Sequence, residues 1–258
     1  MRNLYVLLKK EMMESSKSGK WIWLPIAIII IGISQPITNY YMPQIIEHAG
    51  NLPEGASFTF PTPKGSEVMA GTLSQLGTIG TLLFVLATMG VISNEKSNGT
   101  ITLVMVRPVS PFQYVSSKWV GQLIITLSSL FASYLLTWYY TNLLFSSVDW
   151  VLVLESLLIY SLWIVYIVSF TIWMGTIFKG NGAIAGITIS FLALLSLLTT
   201  LLPKFMAWSP VNVIEHATNL LMRQPAQDDF LITISSTIVL SAIFFVSAVV
   251  SFKKAEHY

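Results

Sequence analysis

The sequence predicts an all-α integral membrane protein with six transmembrane helices and both termini on the same side. Three observations carry this reading. The 258 residues are 54% hydrophobic and only 10% charged, with mean hydropathy +0.70; a soluble domain has roughly 25% charged residues. Six apolar runs are each long enough to cross a bilayer core, which takes about 20 helical residues. Lys and Arg are also distributed unevenly between the connections, and that fixes an orientation.

The runs are Trp21–Tyr41, Met69–Ser93, Trp119–Phe145, Val151–Phe178, Ala183–Leu202 and Phe230–Phe252. Pro25 and Pro36 interrupt the first. Pro25 falls in the first turn, where its missing N–H costs little, and Pro36 is expected to end or kink the helix. Arg2, Lys9, Lys10, Lys17 and Lys20 precede the first run. Lys96, Arg107 and Lys118, then Lys179, then Lys253 and Lys254 fall on the same side. The other side has only Lys64, Lys204 and Arg223, and is acidic. Both termini are therefore expected to be cytoplasmic. The first 20 residues are not expected to be a cleavable signal, because the apolar run that follows is long and no small-x-small cleavage site ends it. Leu4, Leu8 and Met12, flanked by Tyr5 and Leu7, instead form an imperfect stripe of a helix lying in the cytoplasmic interface, with Glu11 breaking the stripe. A solvated basic leader is the other reading.

Several function classes fall away. No cysteine is present, so there is no thiolate nucleophile and no Cys metal site. The net charge of +2 is too small to point to nucleic acid. Ser18-Gly19-Lys20 resembles the end of a phosphate loop, but Glu14 stands where the first Gly is needed and Trp21 replaces Ser/Thr. A membrane-embedded enzyme needs converging acidic or His groups within the spans, and Glu155 is the one ionisable residue well inside a run. The same lack of midplane charge argues against an ion-coupled carrier. The chain reads as a single membrane domain, 1–258, that is not an enzyme.

The stretch from Asn94 to Lys118 is the most informative. It joins the second and third runs with about 25 residues where a short turn would do. Asn98 and Thr100 are cap-type residues before the apolar stretch Ile101–Val106. Arg107 precedes Pro108, which disfavours helix there. Ser110 then reads as an N-cap with Pro111 at the first helical position. The expectation is a short helix, an elbow and a new helix running through Tyr114 and Lys118 into the third span. Glu95, Lys96 and Arg107 are expected to be exposed around an apolar plug, with Ile101, Val104 and Met105 sharing one face. That plug can dock into a partner's groove or against the protein's own helices.

Glu95, Gly99, Thr100, Ile101, Arg107, Pro108, Val109, Ser110 and Lys118 resemble the motif of ABC-2-type transporter permeases, with Pro111 departing from a frequent basic residue. Lys10-Glu11, Ser16, Lys17 and Lys20 resemble the start of that family. The resemblance implies a permease subunit that forms a homo- or heterodimer. It also implies a separate ABC ATPase subunit that carries ATP and Mg and docks on residues 94–118, with Glu95, Gly99, Thr100, Ile101, Val104, Met105, Arg107 and Pro108 as the coupling residues. It implies no cofactor on this chain, a plasma-membrane location of bacterial type, and an exporter of hydrophobic or amphipathic cargo such as a lipid-like molecule, antimicrobial peptide or drug. The alternative is a regulatory or sensory complex of the same architecture that controls a membrane-bound signalling partner.

Trp163, Tyr166, Phe170 and Trp173 fall at i, i+3, i+7 and i+10 and form one aromatic face. This face, with Glu155, is a candidate cargo path; ordinary helix packing and a hydrated rim carboxylate are the plainer readings. Gly71, Ser74, Thr78 and Thr81, and the pair Gly182 and Gly186, are small-residue faces that permit close helix contact. Residues 203–229 read as an outer re-entrant segment, with a short helix over Val211–Arg223 after Ser209-Pro210. The similar segments Ile46–Leu52 and Ile214–Leu220 each contain Glu-His. Adjacent residues on a helix diverge, so no metal site is expected from them.

Overall fold

The computed structural model describes residues 2–49, 62–100, 109–225 and 227–255. These residues form helices and no strand. In order they are α1 (Arg2–Lys17), α2 (Lys20–Ala49), α3 (Gly65–Ser97), α4 (Pro111–Leu144), α5 (Trp150–Ile177), α6 (Asn181–Leu201), α7 (Asn212–Leu221) and α8 (Phe230–Ala255). Six of them, α2 to α6 and α8, are long and apolar enough to cross a membrane. The chain is a multi-pass membrane protein of the predicted class.

Local chemistry places the helix ends. Gly19, at φ 71°, turns the chain between α1 and α2, a left-handed conformation that only Gly adopts freely. Gly99, at φ 69°, does the same past the end of α3, and Thr100 Oγ1 donates to Glu95 O at 3.4 Å. Ser110 caps α4 as expected. Its Oγ accepts from Gln113 N at 3.2 Å, the Gln113 side chain reaches back to Ser110 N, and Pro111 opens the helix. Asp149 caps α5 through Val151 N at 3.0 Å.

One helix continues past an expected end. α2 runs 30 residues, through Pro25, Pro36 and Pro43. Pro36 is buried within it and does not end it. Each Pro removes one N–H, and in a packed membrane bundle neighbouring helices compensate for that loss. Helix α3 has the opposite irregularity, a π-helical turn over Leu76–Gly80.

The core lies between α2 and α4, α5 and α8, and α3 and α5. α1 rests on α4. Its buried stripe includes Leu7 and Glu11, with Leu8 and Met12 half-buried. Gly121 of α4 allows the approach, since a Cβ there would sit 3.2 Å from Glu11 Cβ. α7 docks against α5 and α3, with Val213, His216, Ala217 and Leu221 buried. Gly77 in the π turn faces it, and a Cβ there would lie 2.8 Å from Ile214 Cδ1.

This packing can be probed directly, because an introduced thiol would be unique in a chain without cysteine. Val213→Cys is expected to resist maleimide, since Val213 is 0% exposed. Adding Gly77→Leu is expected to speed labelling by roughly tenfold or more, as the larger side chain displaces α7. Unchanged labelling would show that Gly77 is not what seats α7.

Candidate functional site

The Lys-rich end of the bundle holds a buried ion cluster. Lys118 of α4 is 1% exposed. Its Nζ lies 2.7 Å from Glu95 Oε1 of α3 and 2.8 Å from Glu11 Oε1 of α1. Lys10 also pairs with Glu95, and it lies 3.4 Å from Glu14. The second oxygen of Glu95 accepts from Tyr114 Oη at 2.6 Å. The Tyr114 ring stacks on Phe252 of α8, with centroids 4.6 Å apart. One ammonium thus joins three helices, and the tyrosine beside it adds a fourth.

Glu95 therefore corrects the sequence expectation. It is buried, 4% exposed, rather than displayed to a partner. The reason is Lys118, whose buried charge requires carboxylates. Removing one member of a buried pair strands the other, which costs about 3–5 kcal/mol. Burial pushes the Glu11 carboxyl above its ordinary value, and Lys118 only partly offsets this. Burial acts against the Lys10 charge, but the Glu95 hydrogen bond and the carboxylates of Glu11, Glu95 and Glu14 outweigh it and raise its pKa. Beside the cluster is a cavity of about 70 Å³ lined by Glu11, Glu14, Lys20, Lys118 and Gln122. Gln122 Nε2 is buried there without a protein partner, which suits bound water.

Other polar contacts bind the end of α3 to its neighbours. Asn181 Nδ2 donates to Asn94 Oδ1 at 2.8 Å. Ser93 donates to Asn181 Oδ1, and half-buried Lys96 donates to the Thr176 carbonyl. Of the expected coupling residues, Glu95, Gly99 and Thr100 are placed at this helix end. Ile101, Val104, Met105, Arg107 and Pro108 lie outside the described residues.

A second site lies toward the other end. A cavity of about 1170 Å³ is bounded by α3, α6, α7 and one residue of α5. That residue is Trp163, whose Nε1 donates to Thr81 Oγ1 at 3.0 Å. Thr81 in turn donates to Gly77 O at 2.7 Å, so the π turn forms part of the wall. Ser74 and Thr78 line it too, as do Glu215 and Asp229.

The rest of the expected aromatic face packs inward. Phe170 stacks on Phe191 of α6, with centroids 4.4 Å apart. Trp173 stacks on Phe244 of α8 at 5.3 Å, and Tyr166 meets the same ring at 5.5 Å. Tyr166, Phe170 and Trp173 do not line the cavity. Glu155 is exposed and away from both sites; among the described residues it has no ion pair. Gly182 and Gly186 are exposed, with open space where a Cβ would stand.

Glu215 and His216 diverge as expected. Glu215 lines the cavity, whereas His216 is buried with Nε2 3.8 Å from Asp229 Oδ1. The side chains of Glu47 and His48 lie outside the described residues. Burial holds the His216 pKa below its ordinary value, against the pull of Asp229 and Glu215.

The fold defines the class, a six-span all-α membrane protein with charged groups packed at one end and a cavity toward the other. The particular family follows from comparison. The chain belongs to the family described as "Protein of unknown function (DUF2705)", whose model matches residues 28–258. It is 40% identical over 258 residues to the uncharacterized transmembrane protein YxlG of Bacillus subtilis (strain 168), covering 100% of both chains. That relative aligns across α1, which precedes the family-model match.

Lys118→Met is expected to destabilise the protein by about 3–5 kcal/mol in denaturant unfolding in micelles. Adding Glu95→Leu should restore part of the loss, because Lys10 and Glu11 can then pair with each other. Additive losses would mean that the ion pair is not the coupling element. A pH dependence follows from His216. Its folded pKa lies below the unfolded value of about 6.5, so the unfolded state takes up the proton first and stability falls as pH drops below that value. The midpoint of thermal unfolding should fall between about pH 7.5 and about pH 5.5, and the fall should shrink in His216→Phe. An equal fall in both proteins would exclude His216 as its source.

Proposed function

We propose that the chain is the membrane-spanning subunit of an ATP-driven exporter for hydrophobic or amphipathic cargo. The Lys-rich end faces the cytoplasm of a bacterial-type plasma membrane. A separate ABC ATPase binds there and carries the ATP and Mg. The observation that supports this most is the Lys118 junction. Residues 98–110 leave α3 three residues after Glu95 and enter α4 seven residues before Lys118. A push on that segment therefore meets both helices, together with α1, at one ion-paired node rather than a hinge of loose side chains. Such a node suits a subunit that receives force from a soluble motor.

In this reading Glu95 transmits and the stretch after Thr100 docks. Ile101, Val104, Met105 and Arg107 form the contact with the ATPase. The large cavity is the cargo route, with Trp163 in its wall. The open face of α6, with Gly182, Gly186 and exposed Leu194 and Leu201, suits a second permease protomer or membrane lipid.

The test is affinity capture of the tagged full-length chain in mild detergent, with mass spectrometry of what co-elutes. A stoichiometric P-loop ATPase is expected. Met105→Asp with Arg107→Glu should reduce its recovery by roughly tenfold or more. Glu95→Gln should leave recovery near wild type but lower cargo-stimulated ATP hydrolysis. No ATPase with a folded, dimeric protein would overturn the exporter reading. Capture of a signalling protein, without cargo-stimulated hydrolysis, would replace it with the regulatory one.

A further inference from the structure

The lining of the large cavity is unusual in its hydrogen-bond polarity. Its walls mix apolar side chains with hydroxyls, and apart from Ser196 the lining hydroxyls already spend their protons within the protein. Ser74 donates to Ala70 O at 3.2 Å, Thr78 to Gln75 O at 3.1 Å, Thr81 to Gly77 O at 2.7 Å and Thr200 to Ser196 O at 3.0 Å. Thr218 donates to Glu215 O at 2.7 Å. The stronger donors are spent as well. Trp163 gives its N–H to Thr81, and Asn212 Nδ2 is held by Met206 O at 3.1 Å. Apart from the Ser196 hydroxyl and the second Gln227 amide proton, what remains facing the cavity is oxygen lone pairs, since a hydroxyl that donates can still accept.

Charge adds to this bias. Glu215 and Asp229 line the cavity, and no Lys or Arg does. Glu215 Oε1 accepts one amide hydrogen bond, from Gln227 Nε2 at 3.1 Å. Asp229 faces the buried His216 imidazole at 3.8 Å. Among the described residues neither carboxylate has a Lys or Arg within 4.0 Å. The nearby basic residues in sequence, Lys204 and Arg223, are exposed and outside the lining. Asp228, also exposed, adds a further negative charge to the same connection. His216 stays largely uncharged near neutral pH, because burial opposes its protonation. Two unneutralised carboxylates beside low-dielectric walls focus a negative potential on the cavity.

We infer that this cavity takes single-chain amphiphiles with a cationic, donor-bearing or quaternary head and discriminates against anionic ones. The chain lies along Leu82, Ile189 and Leu192, and the head sits by Glu215 and Asp229. An anionic head finds no free cation and few free donors in the lining, and meets like charge. The volume of about 1170 Å³ is somewhat above that of pockets enclosing drug-sized ligands, roughly 300–1,000 Å³. The inference rests on the reading of this cavity as the cargo route, and it narrows the class of cargo.

Trp163 supplies the readout. The purified full-length chain in nanodiscs of uncharged net composition is titrated with bromine-bearing C12 amphiphiles. These carry a trimethylammonium, a sulfate or an uncharged maltoside head, and their concentration is expressed per lipid. Quenching specific to Trp163 is the difference from Trp163→Phe. The cationic probe is expected to half-quench at a level about tenfold or more below the sulfate probe. In Glu215→Gln with Asp229→Asn that gap should close to within about threefold, with the maltoside probe unchanged. Equal potency of all three probes on the wild type, or a tighter sulfate, would overturn the head-group inference and leave the cavity standing as a cargo site. No Trp163-specific quenching by any probe, in a folded protein, would remove the cavity as the cargo route. ATPase capture would then still stand or fall separately.

Discussion

The structure depends on one buried ammonium. Lys118 lies near the basic end of α4 with essentially no solvent, so its charge must be met by protein. Glu95 and Glu11 meet it, and they come from helices α3 and α1. α1 is therefore more than a basic leader, because it supplies one of two counter-charges that α4 cannot do without. Apolar side chains of the same volume would hold three helices together equally well. An ion pair differs in being directional. It holds its charges in register only in one arrangement, and a slipped register breaks it. The Tyr114 hydroxyl on the free oxygen of Glu95 and the Phe252 ring behind Tyr114 extend that single geometry to α8.

The bundle interior follows a different rule. Many of its hydroxyls satisfy themselves on the preceding turn of their own helix, as Thr88 does on Phe84 O at 2.7 Å and Thr171 on Ile167 O at 2.7 Å. This lets small polar residues occupy a membrane interior without demanding a partner across the interface. Helices then approach by shape, through aromatic stacks on α5 and glycine openings on α3 and α4. Where the shape leaves a gap, beside α7, the same self-satisfied hydroxyls become the wall of the cavity. The cavity's bias toward acceptors is thus a direct product of how the spans solve their own hydrogen bonding.

Much of this is legible in the amino-acid sequence. The spans are visible in hydropathy, and the start of α4 in Ser110-Pro111, because caps and burial are local. The short helix after Ser209-Pro210 is visible too, though it runs from Asn212 to Leu221, with Arg223 beyond its end in the left-handed region at φ 54°. What stays illegible is pairing at a distance. Along the chain Glu11 reads as a flaw in an amphipathic stripe, yet it is buried there because Lys118, more than a hundred positions on, needs it. Glu95 reads as a surface group for the same reason. The aromatic spacing on α5 does define one face, but only packing shows that Trp163 alone reaches the cavity. The phenyl ring of Phe244, on another helix, claims the other three. Pro36 does not end α2, because the sequence rule assumes an isolated helix and a packed bundle offers the freed carbonyl other partners.

The two sites share helix α3. It carries Glu95 at one end and Ser74, Thr78 and Thr81 in the cavity wall. The 14 helical steps from Thr81 to Glu95 span about 21 Å at 1.5 Å per residue. They are continuous α-helix, which behaves as a rod over that length. A displacement at the ion cluster, as the proposed function requires, would therefore reach the cavity as motion of the whole rod rather than dissipate along it. The π turn Leu76–Gly80 lies where the rod meets α7 and Trp163. A π turn holds an extra residue, and its relaxation to α geometry rotates everything beyond it. The helix is stiff where a force would travel and irregular where the cavity would have to change shape. In the proposed reading that distribution would make α3, rather than residues 98–110 alone, the physical link between a push at one end and the cavity toward the other.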